Sequence, residues 1–206
     1  MCPGGIIVPA ATSPGEVVVN GMSPSKRNSR WANSGIVTSV EEDDLAPFLE
    51  EHGALAGLAF QRSVEQAAFK ANGDGSQKAP GQRLIDFIED RPSKDLPRVS
   101  YVPGVVPVNL GDVLPERITL ALRNGFRLFG EAMKGFVVEE AVVVGVESRT
   151  SSPVRIPRDA DTLHHPELTE LFPCGEGAGF AGGIVSAAID GQRVAKAIGA
   201  LLHSVT

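Results

Sequence analysis

The sequence predicts a mixed α+β fold. Three observations carry that expectation: a β-rich opening broken by turn residues, helical periodicity in the middle and again near the C-terminus, and glycine or proline at the joints between them. The composition agrees with an ordinary globular chain, with 206 residues of which 42% are hydrophobic and 21% charged. Twenty-three glycines and fifteen prolines stand against one tryptophan and one tyrosine. Such a balance implies many turns and close backbone approaches.

The elements follow in chain order. Ile6-Ile7-Val8 reads as a strand, Ser13-Pro14-Gly15 as a turn, and Glu16 to Asn20 as the returning strand. A polar loop runs from Ser23 to Asn33, and Gly35 to Val40 reads as a third strand. Glu41 to Asp44 reads as a solvated acidic boundary. A helix is expected over Ser63–Asn72, and Gln82 to Glu89 fits either a short helix or an extended segment. Five prolines between Pro92 and Pro115 predict irregular chain. From Glu116 the spacing is helical, with Ile118, Leu122, Gly125, Phe129 and Ala132 on one face and Gly135 as the stop. Val137–Val138 and Val142–Val146 read as strands, the second fully buried. Glu170 to Cys174 reads as a short strand. A helix from about Ile184 to Leu202 follows, with Ile184, Ala188, Gly191, Ala195, Ile198 and Leu202 lining one face.

Charge and apolar pattern exclude several function classes. The formal net charge of −6 argues against a nucleic-acid partner, because phosphate binding needs clustered Lys and Arg. The longest apolar runs are too short to span a bilayer, and no basic and apolar leader opens the chain. Two cysteines, Cys2 and Cys174, make no disulfide framework, and a reducing cytoplasm is expected. Adjacent His164 and His165 do not share a helix face, and no Cys/His spacing fits zinc, so no metal site is expected. No Gly-x-Ser-x-Gly marks a hydrolase.

The most informative segment is Cys174-Gly175-Glu176-Gly177-Ala178-Gly179-Phe180-Ala181-Gly182-Gly183, in which five of ten residues are glycine. It precedes a helix, whose N-terminus offers unpaired N–H groups and the positive end of the dipole. Gly177, Gly179 and Gly182 spell Gly-x-Gly-x-x-Gly. A dinucleotide fingerprint, however, needs a following strand and an acidic residue about 20 positions on. That position is Leu202, and the chain ends at Thr206. The turn is therefore read as a closing element for a group held mainly by another segment. Plain packing by glycine is the alternative. Cys174, beside this turn and without a second cysteine nearby, is expected to be a small buried residue.

Two other loops carry chemistry. Ser148 to Arg155 holds two arginines and four hydroxyls, which suits an anionic ligand or a solvated loop with local backbone bonds. Lys26, Arg27 and Arg30 beside Trp31 read as a small basic and aromatic patch in a loop near the active site, with a cation–π pair of Arg30 or Arg27 with Trp31 as the structural alternative.

Gly-Glu, then glycines, then a helix resembles the second FAD motif of glutathione-reductase-like flavoproteins. Further blocks make the likeness specific: Met1 to Gly5, Asn20 to Ser23, Arg30 to Asn33, Glu147 to Arg155, Pro173 to Gly183 and Ser186 to Gly191. Together they resemble the C-terminal portion of the FAD-dependent dehydrogenases, a bacterial and plastid family whose members are much longer. The resemblance implies a flavin-dependent oxidoreductase of unknown substrate, with hydride passing to or from flavin N5 and a small-molecule substrate or electron donor or acceptor as partner. Glu176 would contact the ribitol, and Gly182, Gly183 and Ile184 would offer N–H groups near the flavin. Gly177, Arg149 and Ser151 belong to the same expected cofactor surface. Residues 1–150 would form a substrate-side or cap domain, and residues 151–206 the closing strand and helix of the FAD domain. The family's N-terminal nucleotide-binding half is missing from this sequence. The competing expectation is therefore a non-catalytic fragment, or an interaction module that needs a separate FAD-binding half.

Overall fold

The computed structural model describes residues 2–168 and 170–204, so Met1 and Thr206 lie outside it. The fold is α+β, with small open sheets among helices. The strands are β1 (Cys2–Pro3), β2 (Ile6–Pro9), β3 (Val19–Met22), β4 (Ala32–Asn33), β5 (Ala79–Arg83), β6 (Val105–Pro107) and β7 (Val142–Val144). The helices are α1 (Glu42–His52), α2 (Ala56–Ala71), α3 (Leu84–Ile88), α4 (Glu116–Ala132) and α5 (Ile184–Ser204). The chain groups into two units, residues 1–44 with 60–148, and residues 45–59 with 149–206.

In the first unit, β1 pairs with β4 and β2 with β3, both antiparallel. Gly15 takes a left-handed φ of +84° at the turn, the conformation for which glycine is suited. The returning strand starts later than the valine run suggests. Val17 and Val18 are buried, and the Val17 N–H donates to the Glu65 carbonyl of α2 instead of joining the hairpin. In the three-stranded sheet β5 is central, parallel to β6 and antiparallel to β7. The middle of β5 is packed so closely that a Cβ on Gly81 would lie 2.4 Å from Val105. Gln82 is wholly buried but satisfied, donating to the Arg91 carbonyl (2.8 Å) and accepting from the Leu110 N–H (2.9 Å).

Two apolar clusters hold this unit. One joins Val17, Val19, Val64, Ala68, Ala79, Tyr101, Val113 and Val146. The other joins Leu84, Phe87, Leu110 and Phe126, with Phe87 and Phe126 edge to face at 6.0 Å.

Several elements depart from the sequence expectation. Within the acidic run 41–44, Glu41 precedes α1 and Glu42 to Asp44 form its first turn. Asp44 reaches back to the Glu41 N–H at 2.7 Å, as in a capping box, and also pairs with Arg117. The Arg117 contact holds the Asp44 carboxyl below its ordinary pKa. Residues 35–40 form no strand, because no other strand among the described residues pairs with their backbone: Ile36 joins the second cluster, Val37 and Val40 are exposed, and the Ser39 carbonyl accepts from Arg117 at 2.6 Å. Residues 137–138 and 170–174 also form none, and the 142–146 strand shortens to a half-buried β7.

α4 buries Ile118, Thr119, Arg123 and Phe126, a face rotated from the expected one, and leaves Phe129 and Ala132 exposed. The rotation follows from Arg123. Its guanidinium donates to the Phe87 carbonyl (2.8 Å) and to Asp90 (2.5 Å), so a charged residue is buried at a position that apolar spacing marks as solvent.

Candidate functional site

The glycine turn lies in the second unit, directly before α5. Two of its glycines answer to backbone geometry. Gly175 and Gly179 have φ of +70° and +81°. A Cβ on Gly179 would also meet the Val154 carbonyl at 2.8 Å and Arg155 Cα at 3.0 Å. The turn is closed by Gly179 N–H to the Glu176 carbonyl (2.9 Å) and Phe180 N–H to the Gly175 carbonyl (3.0 Å). The 148–155 loop is tied to it, with Ile156 N–H donating to the Ala178 carbonyl (3.1 Å) and Ser152 Oγ to the Gly177 carbonyl (3.2 Å).

Gly177, Gly182 and Gly183 are different. None has a positive φ. A Cβ on Gly177 or Gly182 would meet nothing within 4 Å, and one on Gly183 would only touch Ser186 Oγ at 3.8 Å. Neither backbone strain nor crowding within the chain requires glycine at these three positions. They leave open space against a helix N-terminus, which is the kind of surface a ligand approaches closely.

α5 begins with the Ala187 N–H bonded to the Gly183 carbonyl (2.9 Å). The N–H groups of Gly182, Gly183 and Ile184 donate to no group among the described residues. The Glu176 carboxylate is half-buried and makes no ion pair or hydrogen bond among them either. Glu176 and the three N–H groups thus belong to one short stretch of chain ahead of α5. Arg149 and Ser151 are both exposed on the neighbouring loop. It is Ser152 and Arg155 that touch the turn, Arg155 with its guanidinium 4.5 Å from the Phe180 ring centre.

The residues that hold this turn escaped sequence reasoning. Arg158 makes a bidentate pair with Asp190 at 2.9 and 3.0 Å. It also donates to the Pro173 carbonyl (2.9 Å) and lies 3.6 Å from the Phe180 ring centre. Asp190 in turn accepts the Gly175 N–H at 2.8 Å. Their side chains are only 6% and 11% exposed. The Arg158 bond holds the Asp190 carboxyl below the usual range, helped by Gly175 and opposed by burial. Asp190 lies off the apolar stripe expected for α5, so periodicity gave no signal for it. Nothing in the sequence marked Arg158.

Two expectations are corrected here. Cys174 is exposed rather than buried, because Asp190 and Arg158 bind the backbone on either side of it and leave its side chain outside. The buried face of α5 centres on Ala187, Asp190 and Val194 rather than on the expected stripe, with Val194 3% exposed and Ile184 92%. Asp190 orients the helix, and apolar residues all round it left the periodicity ambiguous. Among the described residues no group of three metal-ligating side chains occurs, and no helix is long and apolar enough to cross a membrane.

Comparison with known proteins agrees with the flavin resemblance at a coarse level. The chain is 44% identical over 200 residues to an uncharacterized protein of Clostridium beijerinckii; the match covers 96% of this chain and 36% of the relative. It therefore spans about a third of the length of that curated relative. Residues 1–150 match the family described as "FAD-dependent protein, C-terminal domain-like", and the chain belongs to that family.

Proposed function

We propose that this chain forms the flavin-closing part of an FAD-dependent oxidoreductase. The observation that carries the reading is the trio Gly177, Gly182 and Gly183, glycines with no conformational or packing reason to be so among the described residues, placed before a helix whose first N–H groups have no partner among those residues. The membership of an FAD-dependent family supports the same cofactor. FAD, when bound, supplies the hydride-accepting ring. The chain's own residues offer N–H donors from Gly182 to Ile184 and a carboxylate from Glu176 suited to a ribitol hydroxyl. The α5 dipole favours negative charge beside its N-terminus. Arg158 and Asp190 hold that constellation in place. The substrate-side role of residues 1–150, and a small-molecule donor or acceptor as partner, belong to this proposal.

A second reading has its own observation. Ile184, Val185 and Ile189 are 92%, 71% and 60% exposed at the start of α5, an apolar surface suited to a further protein segment. In that reading the chain is non-catalytic alone and works only with a separate nucleotide-binding half.

Titration with FAD separates the two. Saturable quenching of flavin fluorescence, a rise in melting temperature, and loss of both in Gly177→Val and Gly182→Val at unchanged fold stability support flavin closure by this chain. No stabilisation by FAD at millimolar concentration sinks independent binding and leaves the module reading.

A further inference from the structure

We propose a second ligand site in the first unit: Lys26, Arg27 and Arg30, beside Trp31, bind a small multivalent oxyanion, a diphosphate or a tricarboxylate. The inference uses none of the residues from Gly175 to Ile184 that carry the flavin reading, although Arg30 and Trp31 belong to one of the blocks that resemble the FAD-dependent family.

The loop that carries these cations is firmly pinned. It runs from the end of β3 to β4, and β4 pairs with β1 through Cys2↔Asn33 and Pro3↔Ala32. Asn33 Nδ2 donates to the Ile6 carbonyl at 2.8 Å, and Ser29 Oγ donates to the Gly5 carbonyl at 3.2 Å. The Arg27 backbone lies directly on Gly4, where a Cβ would come within 2.2 Å of the Arg27 carbonyl carbon. Trp31 is held by its Nε1–H, which donates to the Arg98 carbonyl at 3.3 Å, and Arg30 stacks 5.4 Å from its ring centre. A pinned loop presents its charges at little further entropic cost.

The charge distribution is lopsided. The chain carries a net charge of −6, yet residues 17–40 include no Asp or Glu. Lys26, Arg27 and Arg30 are exposed, and none has a carboxylate partner among the described residues. Arg83, Arg91, Arg117, Arg123 and Arg158 all have one. Uncompensated cations carried within five residues of one loop attract oxyanions, and a guanidinium fork suits their geometry.

Arg27 adds an independent point. Its φ is +46°, in the left-handed region that disfavours an L-residue and suits glycine. Glycine would hold this turn without strain, so the arginine brings a charge at a conformational cost. That feature also supplies a clean variant. Arg27→Gly removes the guanidinium while relaxing the backbone.

Trp31 is the only tryptophan, so its fluorescence reports on this loop alone. The experiment titrates the 206-residue protein at low ionic strength with inorganic diphosphate, with citrate and with a single-stranded oligonucleotide. Saturable quenching is expected with diphosphate or citrate, the tighter of the two identifying the ligand chemistry. Arg27→Gly is expected to weaken it about tenfold, with a melting temperature equal to or above that of the parent. Lys26→Gln/Arg30→Gln is expected to weaken it at least as much. Lys134→Gln, an exposed cation elsewhere in the same unit, is expected to leave it unchanged. The proposal is overturned by absence of saturable quenching with both small anions, by equal affinity in Arg27→Gly, by an equal loss in Lys134→Gln, or by preference for the oligonucleotide.

Discussion

Gly177 and Gly179 stand two residues apart in one turn and answer to different constraints. Gly179 is held at a φ of +81° against the Val154 carbonyl, so any Cβ forces the turn away from the 148–155 loop. Gly179→Ala is expected to cost about 2 kcal/mol, measured by urea unfolding, whereas Gly177→Ala stays within about 0.5 kcal/mol. Equal losses at the two positions would contradict the distinction between a glycine that the backbone requires and one that faces open space. Asp190 is the other decisive residue. Asp190→Ala leaves the nearly buried Arg158 guanidinium without its carboxylate, and a loss of about 3 kcal/mol is expected. The pair also sets an acid dependence. Asp190 has a lowered pKa in the folded state, so its contribution is complete above about pH 4, the unfolded carboxylate value. It is lost as pH falls through the lower folded value. Asp190→Asn is expected to flatten the fall of melting temperature over that acidic window; an unchanged slope means the pair carries no pH-dependent stability. The spelling of the turn was legible in the sequence. Which of its glycines serve the backbone was not, because φ and crowding arise only once residues 152–156 are folded against it.

The helices differ from their sequence reading in facing more than in position. α4 and α5 both begin at the expected residues, since Pro115 before Glu116 and Gly183 before Ile184 are local stop-and-start signals. Their buried faces are set by polar anchors, Arg123 in α4 and Asp190 in α5, which apolar periodicity cannot see. On α5 this gives a sharp contrast. Val194→Ala is expected to cost about 2 kcal/mol, and Ile184→Ala within about 0.5 kcal/mol, by equilibrium unfolding in urea. The reverse order would restore the stripe of Ile184, Ala188 and Ala195. α1 was missed because its acidic first turn reads as a solvated boundary. Those carboxylates are favourable at a helix N-terminus, and Asp44 closes the start by bonding the Glu41 N–H.

At the scale of the whole molecule, residues 45–59 join residues 149–206 rather than the segments on either side of them in sequence. Gly57 shows why glycine serves this grouping: a Cβ there would lie 2.7 Å from the Pro153 carbonyl. Gly57→Val is expected to destabilise the second unit by about 2 kcal/mol, seen as an earlier unfolding step when the fluorescence of a tryptophan introduced at Phe180 is followed in urea; a parent-like transition would mean that the contact is dispensable. What the sequence by itself determined is the α+β class, the start of α4 and α5, the glycine turn before α5 and the likeness to FAD-dependent proteins. These rest on local signals: turn residues, periodicity of three and four, and motif spelling. Only the tertiary structure decided which helix faces are buried, that Arg158 and Asp190 clamp the turn, that Cys174 faces outward, and that the basic loop at residues 23–31 is pinned on Gly4. Each depends on a partner 15 or more positions away in the chain, such as Asp190 for Gly175 or Arg98 for Trp31. No window of neighbouring residues contains such a pairing, so it is fixed only when packing and hydrogen bonding bring the two segments together.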